Sequence, residues 1–215
     1  SNRAIDIFQE VIAERRLEPQ QNDFLSTLIN ISDEDEDYDD WDIITLILAL
    51  IGAGSDTTKI VGGWIAYGLI KHPEQREQSC ANQEEFHKAF RETVRWSGIN
   101  KMGFARYAPE DMEVCGQPVR KGQMIALNPD LNGHDAEIYP EPEKFDINRH
   151  YTHDLLFGYG PRFCIGAALA RNQLFLTISE LFKRFPNIEV VEEPERDLEE
   201  VPSIIFKKLI LKTNC

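Results

Sequence analysis

Cys164 sits in the run Phe157-Gly158-Tyr159-Gly160-Pro161-Arg162-Phe163-Cys164-Ile165-Gly166, directly before a strongly helical stretch. Glycines let a backbone take positive φ and approach a flat ligand closely. A sulfur at a helix N-terminus meets free N–H groups and the positive end of the dipole, which stabilise an anion. Both effects favour thiolate, the form that binds metals and attacks electrophiles. Arg162, two positions earlier, adds positive charge and five donors for an anionic group. A lone cysteine is more often a small, inert core residue. The density of glycine around this one, with the arginine, argues against that reading.

A second constellation lies upstream. Gly52-Ala53-Gly54-Ser55-Asp56-Thr57-Thr58 interrupts a long apolar helical pattern with small residues and hydroxyls, a locally poor helix design. Such rule-breaking inside a consistent element points toward function. Ala53 and Gly54 leave space beside the helix. Asp56 and Thr57 offer a carboxylate and a hydroxyl, a pair able to relay protons. Asp56 could equally be a surface charge, and Thr58 reads as structural. Further on, Glu92 and Arg95 share a helix face at i and i+3 and can pair. That spacing alone is common.

These residues need elements to position them. Apolar periodicity predicts helices over 4–16 and, capped by Asp23, over 23–31. A long helix follows from Asp39 to Lys71, apolar almost all round. Its stretch Ile43–Ala53 is too short for a membrane span and reads as a buried core helix. Pro73 opens the next helix, and 83–97 forms another. Between Lys101 and Ile125, short alternating runs separated by turn signals read as strands and hairpins. Residues 128–154 read as a long structured loop, Ala167 to Phe185 as a helix, and Val201 to Lys212 as a terminal hairpin.

The whole chain bounds the answer more loosely. It has 215 residues and a formal net charge of −14. An acidic balance disfavours nucleic acid or an anionic membrane surface as main partner. Eight acids fall within the ten positions 33–42; they read as a solvated loop leading into the long helix, favourable at its N-terminus. Cys80, Cys115, Cys164 and Cys215 show no C-x-x-C or zinc spacing. Reduced thiols in a cytoplasmic protein are the expectation. With no repeat or linker composition visible, 1–215 reads as one domain.

Phe157, Gly158, Gly160, Arg162, Cys164 and Gly166 resemble the F-G-x-G-x-[RH]-x-C-x-G signature of the cytochrome P-450 family. Ala53-Gly54-Ser55-Asp56-Thr57 resembles that family's [AG]-G-x-[DE]-T. Glu92-Thr93-Val94-Arg95 resembles its E-x-x-R, and Phe145-Asp146-Ile147-Asn148-Arg149 its F-D-x-x-R. The four segments occur in the family's order. Asn132-Gly133-His134-Asp135 departs from the family's usual Asn-Arg-Asp.

The resemblance implies a mainly α fold with small antiparallel sheets, matching the C-terminal half of the family from the end of its G helix. It implies haem b, with Cys164 as the proximal iron ligand. Arg106 and Arg162 would then meet the propionates, and Ala53 and Gly54 would line the oxygen face. Glu92, Arg95 and Arg149 would form a buried structural network. The implied activity is insertion of one oxygen atom of O₂ into a small apolar substrate, with Asp56 and Thr57 relaying protons. Electrons would come from a ferredoxin or flavoprotein. An apolar pocket wall is expected from Ile51 and its helical neighbours, and from residues between Ile99 and Phe104. The family's N-terminal helices and substrate roof have no counterpart in the sequence. A haem-binding or interaction protein without turnover, completed by a separate N-terminal half, is therefore the alternative. A thiol enzyme using Cys164 without haem is a third.

Overall fold

A computed structural model describes residues 2–18, 21–99, 104–151, 156–197 and 205–213. The chain divides into two compact units, Ser1–Asp56 and Thr57–Cys215. The division falls inside one long helix.

In the first unit, α1 (Asn2–Leu17) and α2 (Phe24–Glu34) pack with the start of α3 (Asp40–Lys71). Asp23 caps α2, its side chain accepting the Ser26 amide at 2.8 Å. That satisfies one orphan donor of the first turn. The helix runs three residues past Ile31, because its last turn is polar and carries no periodic signal. Ile12, Leu28, Ile29, Ile43 and Ile44 form a small core. Of the acidic run expected as a loop, only 35–39 is loop; Asp33 and Glu34 end α2, and Asp40 and Asp42 open α3. Asp39 accepts the Trp41 and Asp42 amides at 2.8 and 3.1 Å, and Arg16 pairs with both Asp33 and Asp40.

The expectation of a buried core helix over Ile43–Ala53 holds only for its first turn. Ile43 and Ile44 are fully buried, whereas Leu48 and Ile51 are 37% and 52% exposed. The partners of α3 in this unit reach its first turns only, so apolarity outruns the available cover. By length and composition α3 could also cross a membrane, a test that core helices pass equally.

The second unit begins with the rest of α3, where Trp64, Ile65 and Leu69 are fully buried. Then come α4 (Pro73–Cys80), α5 (Gln83–Ser97), α6 (Pro129–Gly133), a 3₁₀ turn at Gly160–Arg162, and α7 (Ala167–Arg184). Asn82 caps α5 by accepting the Glu84 and Glu85 amides at 3.0 Å. Phe86, Ala89 and Phe90 of α5 meet Leu174, Ile178 and Phe182 of α7, with Phe145 and Ile147 from the connecting segment. Each large apolar side chain buried this way contributes about 1.5–3 kcal/mol.

Strands are short and antiparallel. β1 (Phe104–Tyr107) pairs with β4 (Met124–Leu127), enclosing the hairpin β2 (Met112–Val114) and β3 (Gln117–Val119). The expected terminal hairpin is not formed. Instead β7 (Ile205–Phe206) pairs back with β6 (Arg196–Asp197), and β8 (Leu211–Lys212) with β5 (Glu189–Val190). Packing decides this: Phe206 sits against Trp64, ring centres 4.1 Å apart. Val201–Ile204 lie outside the described residues. The segment read as a long loop from 128 opens with α6 and then runs as turns to Tyr151.

Beside Trp64, the Tyr67 hydroxyl donates to Glu193 at 2.6 Å. Burial, then Glu193, raises this phenol to about 12. The folded state thus holds the proton more tightly than a free tyrosine does. The stability it contributes is intact below pH ~10 and lost as pH rises through about 12. In urea titrations, the stability gap between wild type and Tyr67→Phe should be constant up to the ordinary tyrosine pKa and shrink above it.

Candidate functional site

The Cys164 loop is built by two backbone turns. Gly158 and Gly160 take φ of 81° and 68°, a region costly for any residue with a Cβ. They fold the chain so that the Cys164 amide donates to the Phe157 carbonyl at 2.8 Å and the Phe163 amide to Gly160 at 3.0 Å. The Cys164 carbonyl then accepts the Ala167 amide at 3.2 Å, delivering the chain into α7. Cys164 itself is exposed. The Phe157 ring stacks on Phe90, centres 5.5 Å apart, which pins the loop to α5.

An open cavity of about 350 Å³ lies over this loop, within the second unit. Thr57, Arg106, Phe157, Gly158, Arg162 and Cys164 line it, so six of the sequence-predicted residues border one cavity. Gly160 and Gly166 belong to the loop without lining the cavity. Ala53, Gly54 and Asp56 stand on the preceding turn of α3, exposed, in the first unit. A Cβ added at Gly54 would meet nothing within 4 Å. Thr58, read as structural, lines the cavity beside Thr57.

Leu156 and Tyr159 of the loop also line it; the rest is apolar, helical and was not read as a cavity wall from sequence: Ile60, Val61, Phe90, Val94, Ala170 and Leu174. These residues carry ordinary helix periodicity, which marks them as core without showing that a cavity interrupts it. Of the expected pocket wall, Ile99 is present, Ile51 is half-exposed in the first unit, and 100–103 lie outside the described residues. Arg171 lies over the Phe157 ring at 4.7 Å.

Glu92 and Arg95 pair as their i,i+3 spacing suggested, and Arg149, which the resemblance implied, joins them. Arg95 donates twice to Glu92, each bond 2.8 Å, and Arg149 Nε lies 3.3 Å from the same carboxylate. Glu92 is fully buried. Two further donors were missed: the Asp146 amide at 2.8 Å and the Tyr151 hydroxyl at 2.6 Å. Arg95 also donates to the carbonyls of Gly133, Pro142 and Lys144. Arg149 donates to those of Pro140, Glu141 and Lys144. Burial alone would lower the Arg95 pKa; Glu92 outweighs it, and the net shift is upward. Burial, then Glu92, raises the Tyr151 phenol far above its ordinary range.

The donor set suits a flat metal macrocycle bearing carboxylates. One sulfur, two arginines and an apolar wall converge on the cavity. Among the described residues no ion pair joins Arg106 or Arg162 to an acid, and Arg106 donates from one terminal nitrogen to the Ala105 carbonyl at 2.9 Å. Among the described residues no His/Cys/Asp/Glu cluster could hold a bare metal ion.

The comparisons agree with this geometry. The family model for cytochrome P-450 matches residues 1–87 and 86–212. The chain belongs to the cytochrome P-450 family. It is 31% identical to the epothilone C/D epoxidase of Sorangium cellulosum over 184 residues, 86% of this chain and 44% of that protein. It is 30% identical to the biotin biosynthesis cytochrome P-450 of Bacillus subtilis over 190 residues, 88% and 47% respectively. The solved epothilone D-bound cytochrome P-450 superposes with a TM-score of 0.85 at 28% identity, covering 98% of this chain and 52% of that one. A cytochrome P-450 in complex with hexadec-9Z-enoic acid-ligated acyl carrier protein gives 0.83 at 27%, covering 99% and 54%. The fold is therefore that of a cytochrome P-450, mainly helical with small antiparallel sheets. The chain spans about half the length of these relatives.

Proposed function

We propose that residues 1–215 form the haem-binding part of a haem-thiolate monooxygenase acting on a small apolar organic substrate. The observation that carries this reading is the convergence of Cys164, Arg106, Arg162 and Thr57 on one cavity. Haem b, when bound with a thiolate ligand, supplies dioxygen activation, the thiolate favouring O–O cleavage.

The chain's own residues have separable tasks. Cys164 Sγ would ligate the metal, held by the turn that its amide closes onto Phe157. Arg106 and Arg162 would bind the carboxylates of the cofactor by charge-assisted bonds. Ile60, Val61, Val94 and Leu174 would exclude water from its faces. Thr57 would hold a proton at its hydroxyl, and Asp56 would resupply it from solvent. Electrons would arrive from a ferredoxin or flavoprotein in the cytoplasm. The epoxidase named among the relatives supports oxygen insertion as the reaction type.

Haem titration into the purified chain tests the reading. A red-shifted, thiolate-type ferrous–CO band is the expected result; haem uptake without that band would overturn thiolate ligation. The half-length match to the relatives favours one second reading, a haem-binding chain that needs another polypeptide for turnover. In a system with turnover, Thr57→Ala should leave the CO band unchanged and raise reductant consumed per product several-fold. Unchanged coupling would remove Thr57 from the proton path.

A further inference from the structure

We propose that Gln75 is a positioning residue for the Cys164 loop, acting through the segment Phe145–Ile147. Its importance for function rests on the reading of Cys164 as a metal ligand; the coupling itself is a property of the chain without haem.

Among the described residues no strand pairs with 145–147, yet its backbone groups are taken up. Gln75 Nε2 donates to the Phe145 carbonyl at 3.1 Å, and Gln75 Oε1 accepts the Ile147 amide at 2.9 Å. A carbonyl and an amide two residues apart are what one residue of a neighbouring parallel strand would bond. The side-chain amide of Gln75 stands in for that residue. Between the two, the Asp146 amide goes to Glu92 of α5 at 2.8 Å. One turn further along α4, Gln78 donates to Asn148 Oδ1 at 3.0 Å. Side chains of two helices thus hold the segment. At Gln75 only a neutral amide does both tasks, because a carboxylate cannot donate and an ammonium cannot accept.

The segment is wedged as well as bonded. Phe145 and Ile147 are almost fully buried. The Phe145 ring stacks on His72, centres 4.8 Å apart, and meets Trp96 edge-on at 5.3 Å. A Cβ added at Gly68 would lie 3.2 Å from the same ring. Both residues belong to the core that contains Phe90, and Leu156 and Phe157 pack against that core. Phe157 stacks on Phe90, and its carbonyl receives the Cys164 amide. A close-packed interior has little slack, so a displacement of 145–147 is passed to the residue that closes the loop.

Native-state hydrogen exchange on the 215-residue chain without haem tests the coupling. Gln75→Met keeps the length of the side chain and removes both bonds. Wild type and variant are compared in urea concentrations at which the buried Ile178 amide of α7 exchanges equally, so that overall stability is matched. Under that match the Phe163 and Cys164 amides should exchange about tenfold faster in Gln75→Met. Gln75→Asn, which keeps the amide one methylene short, should give a smaller change of the same kind, and it carries the test if Gln75→Met does not fold. With haem added, Gln75→Met should lower the thiolate-type share of the ferrous–CO absorbance. Equal exchange at matched stability would overturn the proposal, and so would an undiminished thiolate-type share. A wild-type chain without that band would sink the haem reading and leave the exchange rates to decide the coupling.

Discussion

Replacing Cys164 with alanine is expected to abolish the red-shifted ferrous–CO band while leaving the protein folded. The two halves of this expectation have separate physical grounds. Cys164 is exposed, and substitutions at exposed positions without special contacts change stability by no more than about 0.5 kcal/mol. The loop is held by backbone, through the Cys164 amide on Phe157 and the Cys164 carbonyl on Ala167. Alanine keeps both bonds. Only the sulfur disappears, and with it the soft ligand that lines the cavity. Cys164→His provides the complementary result: a nitrogen ligand in the same place should allow haem uptake with an unshifted band. Unfolding in urea should show midpoints within error for all three proteins. A thiolate-type band persisting in Cys164→Ala would move the ligand to another residue. A collapse of stability would instead make the sulfur a packing element, contrary to its exposure.

The Cys164 loop was legible in sequence because its chemistry depends on residue types at fixed local spacing. Gly158 and Gly160 take positive φ, and that demand is written directly into residue identity. The Glu92–Arg95 pair was legible for the same reason, being a contact three residues apart on one helix. What surrounds the pair was not. Tyr151 and the Asp146 amide reach Glu92 from over fifty residues away, and the carbonyl acceptors of Arg95 and Arg149 have no residue signature at all. The two-residue strands β5 to β8 are too short for alternation to show, so their pairing could not be read; Phe206 against Trp64 settled it. The exposure of Leu48 and Ile51 was misread because apolarity reports a need for cover and says nothing about what provides it.

Glu92→Ala is expected to lower stability by about 3–5 kcal/mol. The carboxylate has no exposure and accepts five bonds: two from Arg95, and one each from Arg149, Tyr151 and the Asp146 amide. Alanine leaves two guanidinium groups with side chains only 4% and 9% exposed facing an empty site. Removing one partner of a buried pair costs far more than the pair contributes relative to an apolar replacement, because the remaining charge stays desolvated. The internal comparison is Glu180, whose pair with Arg184 is i,i+4 on the surface of α7; Glu180→Ala should cost far less than Glu92→Ala, because solvent screens an exposed pair. Tyr151→Phe, removing one bond to a charged group, should fall between at ~1.5–3 kcal/mol. Urea unfolding of the three variants checks the order. Equal losses for Glu92→Ala and Glu180→Ala would show that the buried network does not hold the structure. The consequence for function follows from the acceptors. Arg95 and Arg149 together hold carbonyls from Gly133 to Lys144, fixing that segment, which precedes the Cys164 loop in sequence. Glu92→Ala should therefore also reduce haem uptake, by releasing the backbone that precedes the Cys164 loop while leaving its ligands in place.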